Sequence, residues 1–307
     1  MASRLTGTRA GQTSTSSGPD AAGRGRRNPR PYRPRELREA GISPSKALGQ
    51  HFLTDYAVVN RIVAAAGLGP DTTVIEIGPG LGMLTERLAP AAGRVIAVEL
   101  DTALAARLRE RATANVTVVE ADALTVEPER LLESAGLRPD SPYMLAGNLP
   151  YNVGTAIVRR FLEATQPPQR MVVMLQKEVA ESVAAPEGEL GLLGVSVQVY
   201  AGAHKLFNVP PRAFYPPPRV TSAVVRLDVR ETPLVAPEDR DRFFRVVRAG
   251  FSAPRKQLRN TLAQGLGLAP AVVTVAIEAA GLRPDLRPQQ LRVEDWLRLA
   301  ERLGGAS

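Results

Sequence analysis

Short apolar runs alternate with amphipathic stretches along most of the chain from residue 50 onward, and this alternation predicts the fold. Seven runs rich in Val and Ile have the length of buried β-strands. They are Thr73–Ile77, Val95–Glu99, Val116–Glu120, Tyr143–Ala146, Met171–Leu175, Leu193–Val199 and Ser222–Leu227. Helical patterns such as Leu104–Arg111 and Thr155–Ala164 separate most of them. Strands joined by helices predict βαβ units and a mostly parallel, doubly wound α/β sheet.

The last two of these runs are joined differently. A proline-rich loop, Pro210–Pro218, stands between them instead of a helical pattern, which predicts an antiparallel hairpin at the sheet edge. Seven strands that end this way are typical of the Rossmann-like, class I methyltransferase sheet. Beyond Thr232 the pattern is purely helical, over 238–251, 254–265, 270–280 and 292–303, with Pro and Gly between the segments. We therefore expect a sheet domain over 41–232 and a small all-helical domain over 233–307.

The first 40 residues have a different composition. They contain nine Arg and three acids, they are rich in Gly, Ser, Thr and Pro, and Leu5, Tyr32 and Leu37 are their large apolar residues. Such a segment cannot offset its own ordering entropy, so residues 1–40 are predicted to be a disordered basic tail. An Arg-rich, Ser-rich start also resembles an organelle transit peptide, but its Gly and Pro disfavour the amphipathic helix of such a peptide.

Composition narrows the chemistry. The chain of 307 residues has no cysteine and two histidines, which excludes disulfides, a cysteine nucleophile and a Cys-ligated zinc site, so we expect no metal. No apolar run reaches the roughly 18 residues of a membrane span. The net charge of +8 suggests an anionic partner. However, residues 1–40 carry +6 of it, residues 41–230 carry −1 and residues 231–307 carry +3.

A glycine-rich turn follows the first predicted strand of the sheet. Gly78, Gly80 and Gly82 come directly after Val74–Ile77, where glycines let the backbone approach a ligand at a helix N-terminus. The dinucleotide-binding pattern requires a glycine at position 83, which is Met83, and no P-loop lysine follows. Taken alone, the turn is compatible with a purely structural role.

Two acids at the next strand ends favour a ligand. Glu99 ends the second strand, 21 residues after Gly78, where a carboxylate accepts hydrogen bonds from both ribose hydroxyls. Asp122 follows the third strand, where a carboxylate holds the amine of an adenine. The turn and both acids together predict a pocket for an adenosine-bearing cofactor. Because a phosphate-binding device is absent from the pattern, S-adenosylmethionine fits better than NAD.

The fourth strand ends in Asn148-Leu149-Pro150-Tyr151, a motif whose residues can bind an aromatic amine. The lone pair of an aromatic amine such as adenine N6 is delocalised into the ring. The Asn148 side-chain oxygen and the Pro150 carbonyl can each accept one N–H, which turns that lone pair out of the ring plane. Tyr151 offers a face on which a flipped base can stack. The alternative is an Asn-Pro turn with a buried tyrosine.

A second aromatic candidate lies in the run Phe214-Tyr215-Pro216-Pro217-Pro218-Arg219-Val220. A rigid proline loop would present Phe214 to the other face of the base. Alternatively, Phe214 packs beneath the loop.

Several motifs together are similar to the KsgA-type ribosomal RNA adenine dimethylase family. They are the run from Ser45 to Leu53, the Glu76–Gly80 loop, Asn148–Tyr151, Leu175–Glu178, the Phe214–Val220 loop and Arg255–Asn260. The resemblance covers about residues 43–303. It implies S-adenosylmethionine-dependent N6,N6-dimethylation of two adjacent adenosines near the 3′ end of 16S ribosomal RNA. It also implies a cofactor site lined by His51, Leu53, Gly78, Glu99, Asp122 and Asn148. The glycine turn adds Gly80 to this lining. His51 stands where the family usually has Asn, near the methionine moiety of the cofactor.

A run of positive charge, here called the basic stretch, covers Arg242–Asn260. It contains six bases and no acid: Arg242, Arg245, Arg248, Arg255, Lys256 and Arg259. A stretch of this kind suits phosphate contacts that position RNA without reading its sequence, and we expect Arg245, Arg248, Arg255, Lys256 and Arg259 to bind RNA. A bare charge run is otherwise a solvated face.

These features predict a cytoplasmic, monomeric methyltransferase that acts on 16S ribosomal RNA within the small subunit or its precursor. Three alternatives remain open at this point. One is the sister reaction on large-subunit RNA, against which Leu149 and the proline-rich loop argue. Another is a methyltransferase-shaped binding protein without activity, for example in ribosome assembly. A dehydrogenase is disfavoured by Met83.

Overall fold

The computed structural model describes residues 37–38, 41, 43–45 and 48–304. The strands are β1 Phe52–Leu53, β2 Thr73–Ile77, β3 Arg94–Glu99, β4 Val116–Glu120, β5 Met144–Asn148, β6 Arg170–Gln176, β7 Ala201–Val209, β8 Phe214–Tyr215 and β9 Ser222–Val229. The helices are α1 Tyr56–Ala66, α2 Thr85–Leu88, α3 Thr102–Arg111, α4 Pro128–Ser134, α5 Gly154–Leu162, α6 Lys177–Val183, α7 Leu192–Gln198, α8 Arg240–Gly250, α9 Leu258–Leu266, α10 Pro270–Ala279 and α11 Val293–Leu303. Three short 3₁₀ turns cover Pro211–Ala213, Pro237–Asp239 and Pro288–Gln290.

Seven strands form one sheet in the order β4-β3-β2-β5-β6-β9-β7. The first five run parallel, and β9 lies antiparallel to both β6 and β7. The strand order reverses between β2 and β5, and ligands bind at such a switch point, outside the carboxyl ends of the strands. The expected Rossmann-like methyltransferase sheet is therefore confirmed.

Both faces of the sheet are buried, which explains why its central strands read as continuous apolar runs. Successive side chains of β6 enter different hydrophobic clusters: Val173 belongs to one, and its neighbours Val172 and Met174 belong to the other. Ile75 and Val74 in β2 divide in the same way. Alternation along each strand thus fills a helical layer on each side.

The seventh strand is not where the sequence predicts it, because Leu193–Val199 falls on helix α7 and the edge strand is β7. The periodicity of a short apolar run cannot distinguish a buried strand from a buried helix. As an edge strand, β7 exposes its centre, His204 and Lys205, to solvent, so its apolar signal is weak. The antiparallel edge itself is confirmed, since β7 and β9 form it around the proline-rich loop.

The C-terminal helices α8 to α11 pack around Trp296, which is fully buried. Phe243 and Trp296 belong to the same hydrophobic cluster as Ile75 and Val173 of the sheet, so one core spans both regions. The boundary near Thr232 between two domains stays a prediction. None of the helices in the described part of the chain combines the length and the hydropathy needed to cross a bilayer.

The predicted tail over 1–40 lies outside the described residues except for Leu37 and Arg38. Both are helical, and Leu37 is completely buried. It packs in a small cluster with Phe52, Leu81 and Leu104. Leu37 therefore belongs to the packed part of the chain, although it lies within the predicted tail.

Candidate active site

A cavity opens at the carboxyl ends of β2, β3, β4 and β5, at the switch point of the sheet. Its floor comes from the segments that follow these strands, and the segment Leu48–Leu53 contributes a further wall. The lining includes every cofactor residue that the sequence predicts: His51, Leu53, Gly78, Gly80, Glu99, Asp122 and Asn148. It also includes Pro150 and Tyr151. The fold thus brings together residues that lie up to 100 positions apart in the sequence.

The glycine turn is built for close approach. Gly78, Gly80 and Gly82 all have positive φ angles, of 68°, 55° and 84°, which L-residues with a side chain rarely adopt. A Cβ atom on Gly80 would lie 2.9 Å from Cδ1 of Phe52. This turn therefore leaves no room for a side chain between itself and the wall above it.

Glu99 and Asp122 are held by backbone amides. The two carboxylate oxygens of Glu99 accept from the amides of Gly80 and Asp101, at 2.9 Å each. Burial raises the pKa of Glu99, and these hydrogen bonds oppose the rise. One oxygen of Asp122, Oδ1, accepts from the Leu124 amide at 2.8 Å, while Oδ2 has no partner among the described residues. Asp122 therefore keeps an acceptor available for an amine.

Glu76 lies beneath the glycine turn and is 1% exposed. Its carboxyl accepts a hydrogen bond from the Thr85 hydroxyl at 2.6 Å, which joins the strand to the start of α2. Desolvation raises the pKa of Glu76 to about 8. At neutral pH this carboxyl is mostly protonated and braces the turn, so it does not act as a charged ligand.

The charge of the lining selects the type of ligand. Among the described residues that line the cavity, none is Lys or Arg, and two acids, Glu99 and Asp122, lie there beside the mostly protonated Glu76. A pyrophosphate requires cationic or amide-rich surroundings, whereas a sulfonium and an ammonium group are favoured by acids. No cluster of potential metal ligands occurs in the part of the chain that the structure describes. The cavity accordingly suits a cationic, adenosine-bearing ligand.

Asn148, the last residue of β5, is oriented by the wall above it. Its Nδ2 donates to the His51 carbonyl at 2.9 Å. Because a carbonyl can only accept, the amide nitrogen must face His51 and the oxygen Oδ1 must point elsewhere. Oδ1 has no partner among the described residues, so it is left as an acceptor.

The other residues of the Asn148–Tyr151 motif are held differently. The Pro150 carbonyl accepts from the amides of Val153 (3.2 Å) and Gly154 (2.8 Å) as α5 begins, whereas the Leu149 carbonyl accepts from no described residue. The Tyr151 hydroxyl lies 2.5 Å from Oγ of Ser222, and its ring stacks with the His51 ring at a centroid distance of 5.6 Å. Burial raises the pKa of Tyr151. The tyrosine is therefore fixed at its hydroxyl and contacts an aromatic group on its face.

Phe214 does not line the cavity. It is 3% exposed, pairs with Leu53 through β8 and β1, and packs among Val209, Ala213 and Val224. The position of Phe214 is thus the second one that the sequence allows, beneath the proline loop, and the expectation that it stacks on a base is not met. The cause is the β1–β8 pairing, which turns this side chain into the core.

The basic stretch lies on α8, on α9 and on the loop between them. Arg245, Arg248, Arg255 and Lys256 are exposed, Arg259 is half-buried, and none of the five has an ion pair with a described residue. Arg245 does donate to the Gly304 carbonyl at 3.1 Å, and Arg242 pairs with Asp239 at 2.8 Å. Most of the predicted RNA-binding cations are therefore free of protein partners in the described structure.

Two contacts of the site have no local signal in the sequence. Ser222 holds Tyr151 from 71 residues away. Gln50 donates through Nε2 to Asp101 at 3.1 Å and so ties the wall to the start of α3. Gln50 lies in a motif that the sequence does identify, but nothing near Ser222 marks its role.

Comparisons with known proteins agree with this geometry. Residues 43–304 match the family model of ribosomal RNA adenine dimethylases. The ribosomal RNA small subunit methyltransferase A of Dehalococcoides mccartyi (strain CBDB1) is 45% identical over 266 residues, which is 86% of this chain and 90% of that protein. The protein of the same name from Pelotomaculum thermopropionicum is 42% identical over 274 residues, 86% of this chain and 93% of its own length.

Solved structures show the same fold. The crystal structure of the 23S rRNA methyltransferase ErmE superposes with a TM-score of 0.65 at 33% identity, over 82% of this chain and 99% of that chain. A dimethyladenosine transferase from Plasmodium falciparum has a TM-score of 0.68 at 24% identity, over 81% and 96% of the two chains. The second likeness supports the fold alone.

Proposed function

The chain belongs to the ribosomal RNA adenine dimethylase family, and we propose that it dimethylates N6 of two adjacent adenosines near the 3′ end of 16S ribosomal RNA. The observation that carries this proposal is the orientation of Asn148. Its amide nitrogen is occupied by the His51 carbonyl, so its oxygen is the free acceptor that an adenine amine requires. The small-subunit substrate is supported by relatives named for that subunit, which are 45% and 42% identical, against 33% for the 23S enzyme.

The cavity residues fit S-adenosylmethionine. Glu99 would accept from the ribose hydroxyls, Asp122 Oδ2 would accept from the adenine amine, and the turn at Gly78 and Gly80 would lie against the methionine portion. The lining, with acids and without Lys or Arg among its described members, suits a positively charged cofactor. When bound, this cofactor supplies an electrophilic methyl group on a sulfonium.

The chain's own contribution is to make the amine nucleophilic and to aim it. Asn148 Oδ1 accepts one N6–H, which pulls the nitrogen lone pair out of the ring plane. A backbone carbonyl of the same motif accepts the other N6–H. The Pro150 carbonyl, which the sequence proposes for this role, already accepts two amides, whereas the Leu149 carbonyl has no donor among the described residues. The Leu149 carbonyl is therefore a second candidate, besides the Pro150 carbonyl, for the acceptor of this N6–H.

Tyr151 provides the stacking surface for the flipped base. Its hydroxyl is fixed by Ser222, so the ring keeps one orientation while the base enters. Since Phe214 is in the core, we assign it to support of the proline loop. Arg248, Arg255 and Lys256 extend into solvent and would bind phosphates of the RNA together with the half-buried Arg259. Arg245 would be a weaker contributor because it also donates to the Gly304 carbonyl.

We further propose that the protein works as a monomer in the cytoplasm, on the small subunit or its precursor. The location and the small-subunit partner follow from the substrate class. No metal is invoked: the sulfur is the leaving group when N6 takes the methyl, and the proton that N6 loses at each transfer passes to solvent.

The proposal is tested by incubating the full chain with labelled S-adenosylmethionine and separately with under-methylated small and large subunits. We expect label on two adjacent adenosines near the 3′ end of the small-subunit RNA, mapped by primer extension and mass spectrometry. Label confined to large-subunit RNA would assign the chain to the reaction named for ErmE. Cofactor binding without transfer to either subunit would favour a binding protein.

A further inference from the structure

Leu37 lies within the predicted tail, yet the buried residues of its cluster all line the cavity. It is 0% exposed and packs in a cluster with Phe52, Leu81 and Leu104. Those three side chains are part of the cavity lining, whereas Leu37 is not. Leu37 therefore supports the lining from behind, without contact to a ligand in the cavity.

The three lining residues of this cluster come from three separate segments of the site. Phe52 belongs to the wall formed by Leu48–Leu53, Leu81 follows the glycines of the turn, and Leu104 lies in the first turn of α3. One side chain from the predicted tail thus packs together with segments that the sequence keeps up to 67 positions away from it.

The cluster is small and separate from the rest of the core. It shares no buried residue with either of the two larger hydrophobic clusters of the sheet. The described residues supply it with four buried side chains, and the partly buried Tyr215 packs against them. Removal of one large side chain from so small a group leaves a void that its neighbours fill only by moving. Because three of the four line the cavity, such a movement changes the lining.

Hydrogen bonds hold the wall at its other end. The Ser45 amide donates to Oε1 of Gln50 at 2.8 Å, and the Gln50 amide donates to the Ser45 carbonyl at 3.1 Å. Gln50 Nε2 also donates to Asp101, the N-cap of α3, at 3.1 Å. The wall is thus tied by polar contacts at Gln50 and by apolar contacts at Phe52, and Leu37 belongs to the apolar group.

We propose that Leu37 is a positioning residue of the cofactor site: its packing keeps the wall against the glycine turn and α3, so the affinity for S-adenosylmethionine depends on it. The proposal rests on the proposed function, since it takes S-adenosylmethionine as the ligand of the cavity. Leu37 precedes residue 43, where the match to the family model begins. A residue of the predicted tail is therefore assigned to the site.

The packing of Leu37 and the binding of the cofactor are coupled in both directions. A cofactor that requires the wall in place binds with an apparent affinity reduced by the fraction of molecules in which the wall is in place. By reciprocity, the bound cofactor stabilises the packing of Leu37. The affinity and the protection of the Leu37 segment are therefore two separate measurements of one coupling.

The first measurement compares the full-length wild type with Leu37→Ala and Leu37→Met. Calorimetry without RNA gives the Kd for S-adenosylmethionine and for its demethylated product, S-adenosylhomocysteine. We expect Leu37→Ala to weaken both by about tenfold, which is within the usual range for coupled sites. We expect Leu37→Met to bind like wild type, because it nearly conserves the apolar volume.

The matched control is Leu299→Ala. Leu299 is also 0% exposed, but it lies in α11 and belongs to the large cluster around Trp296. Both alanine variants should melt at a lower temperature than wild type, and the Kd should change in Leu37→Ala alone. If Leu37→Ala fails to fold, Leu37→Val is compared with Leu299→Val, since each removes less volume.

The second measurement is hydrogen exchange of a peptide that covers residues 34–42. We expect S-adenosylhomocysteine to slow its exchange in the wild type and to have little effect on it in Leu37→Ala. A peptide that covers α10, Pro270–Ala279, should exchange at the same rate with and without the ligand in both proteins.

Three results would overturn the proposal. An equal Kd in the wild type and in Leu37→Ala would limit Leu37 to a role in stability. A Kd weakened as much in Leu299→Ala as in Leu37→Ala would show that general destabilisation is the cause. Exchange at residues 34–42 that does not respond to the ligand in the wild type would show that the coupling is absent. A wild type that binds neither S-adenosylmethionine nor S-adenosylhomocysteine would instead count against the proposed function itself.

Discussion

The cavity and the basic stretch present their polar groups in opposite ways. In the cavity, Glu99 accepts two backbone amides, Asn148 donates to His51, and Tyr151 is fixed by Ser222. In the basic stretch, cations such as Arg248, Arg255 and Lys256 extend from α8 and the following loop without ion pairs to described residues. In the cavity, hydrogen bonds within the protein hold the polar side chains in fixed orientations. In the basic stretch, these exposed cations have no such partners among the described residues and are available to an anionic ligand.

This difference matches what the proposed function requires each region to recognise. An amine that is to be made nucleophilic requires an acceptor placed to within a fraction of an ångström, so its neighbours must hold that acceptor. A phosphate backbone is recognised by charge over several ångströms, and flexible side chains serve this purpose. Substitutions in the cavity should therefore change the rate, whereas substitutions in the basic stretch should change affinity and its salt dependence.

The largest expected effect is that of Asn148→Ala. Removal of the oriented oxygen should lower the methyl-transfer rate by at least about a hundredfold and leave RNA affinity nearly unchanged, as measured by single-turnover transfer and filter binding. Asn208→Ala is the matched control, because Asn208 is exposed on β7 and makes no side-chain hydrogen bond to a described residue. Turnover near the wild-type rate would remove Asn148 from the mechanism.

A smaller effect is expected when Arg255, Lys256 and Arg259 are all changed to Ala. Each lost phosphate contact should reduce the slope of log affinity against log salt by about 0.7 to 0.9. KM for the subunit substrate should rise while kcat at saturation is retained. Arg138→Ala, at an exposed site before the amino end of β5, is the control. A fall in kcat without a change in salt dependence would place these residues in catalysis and would abolish the contrast between the two regions.

The smallest effect concerns stability and pH. The carboxyl of Glu76 has its pKa raised by burial from 4.5 to about 8. Between these values the unfolded chain releases a proton that the folded chain keeps, so the free energy of unfolding falls as pH rises through this window. Glu76→Gln should remove that fall, so its melting temperature should exceed that of wild type more at pH 8 than at pH 5. Glu110→Gln, on the exposed side of α3, should show no such trend, and an equal trend in both variants would contradict the assignment.

Much of the fold is legible in the sequence because the central strands are buried on both faces. A strand such as β2 or β6 must be apolar along its whole length, and that signal survives without tertiary information. The edge strand β7 is half solvated and carries His204 and Lys205, so its apolar signal is weak and α7 was predicted as the strand in its place. The composition places Leu37 in the tail for a similar reason, since one apolar residue in a polar segment does not reveal that it is buried.

The site residues at the ends of the parallel strands could also be predicted from the sequence. Gly78, Glu99, Asp122 and Asn148 each follow a recognisable strand, and parallel strands bring their carboxyl ends to one edge. Their convergence on one cavity is thus a consequence of topology. The direction in which the Phe214 side chain points could not be predicted from the sequence, because it depends on the pairing of β8 with β1 rather than on the proline run around it.

The sequence by itself determined six of the seven strands of the sheet, the polar residues at its carboxyl edge and the positive charge of Arg242–Asn260, since each of these depends on residues close together along the chain. Only the tertiary structure decided how the site is held. The contacts of Tyr151 with Ser222 and of His51 with Pro216 join residues 71 and 165 positions apart. A hydrogen bond depends on distance and angle in space, and no pattern along the chain specifies either. The sequence therefore identifies Asn148 Oδ1 as the acceptor atom, and the fold sets the direction in which it points.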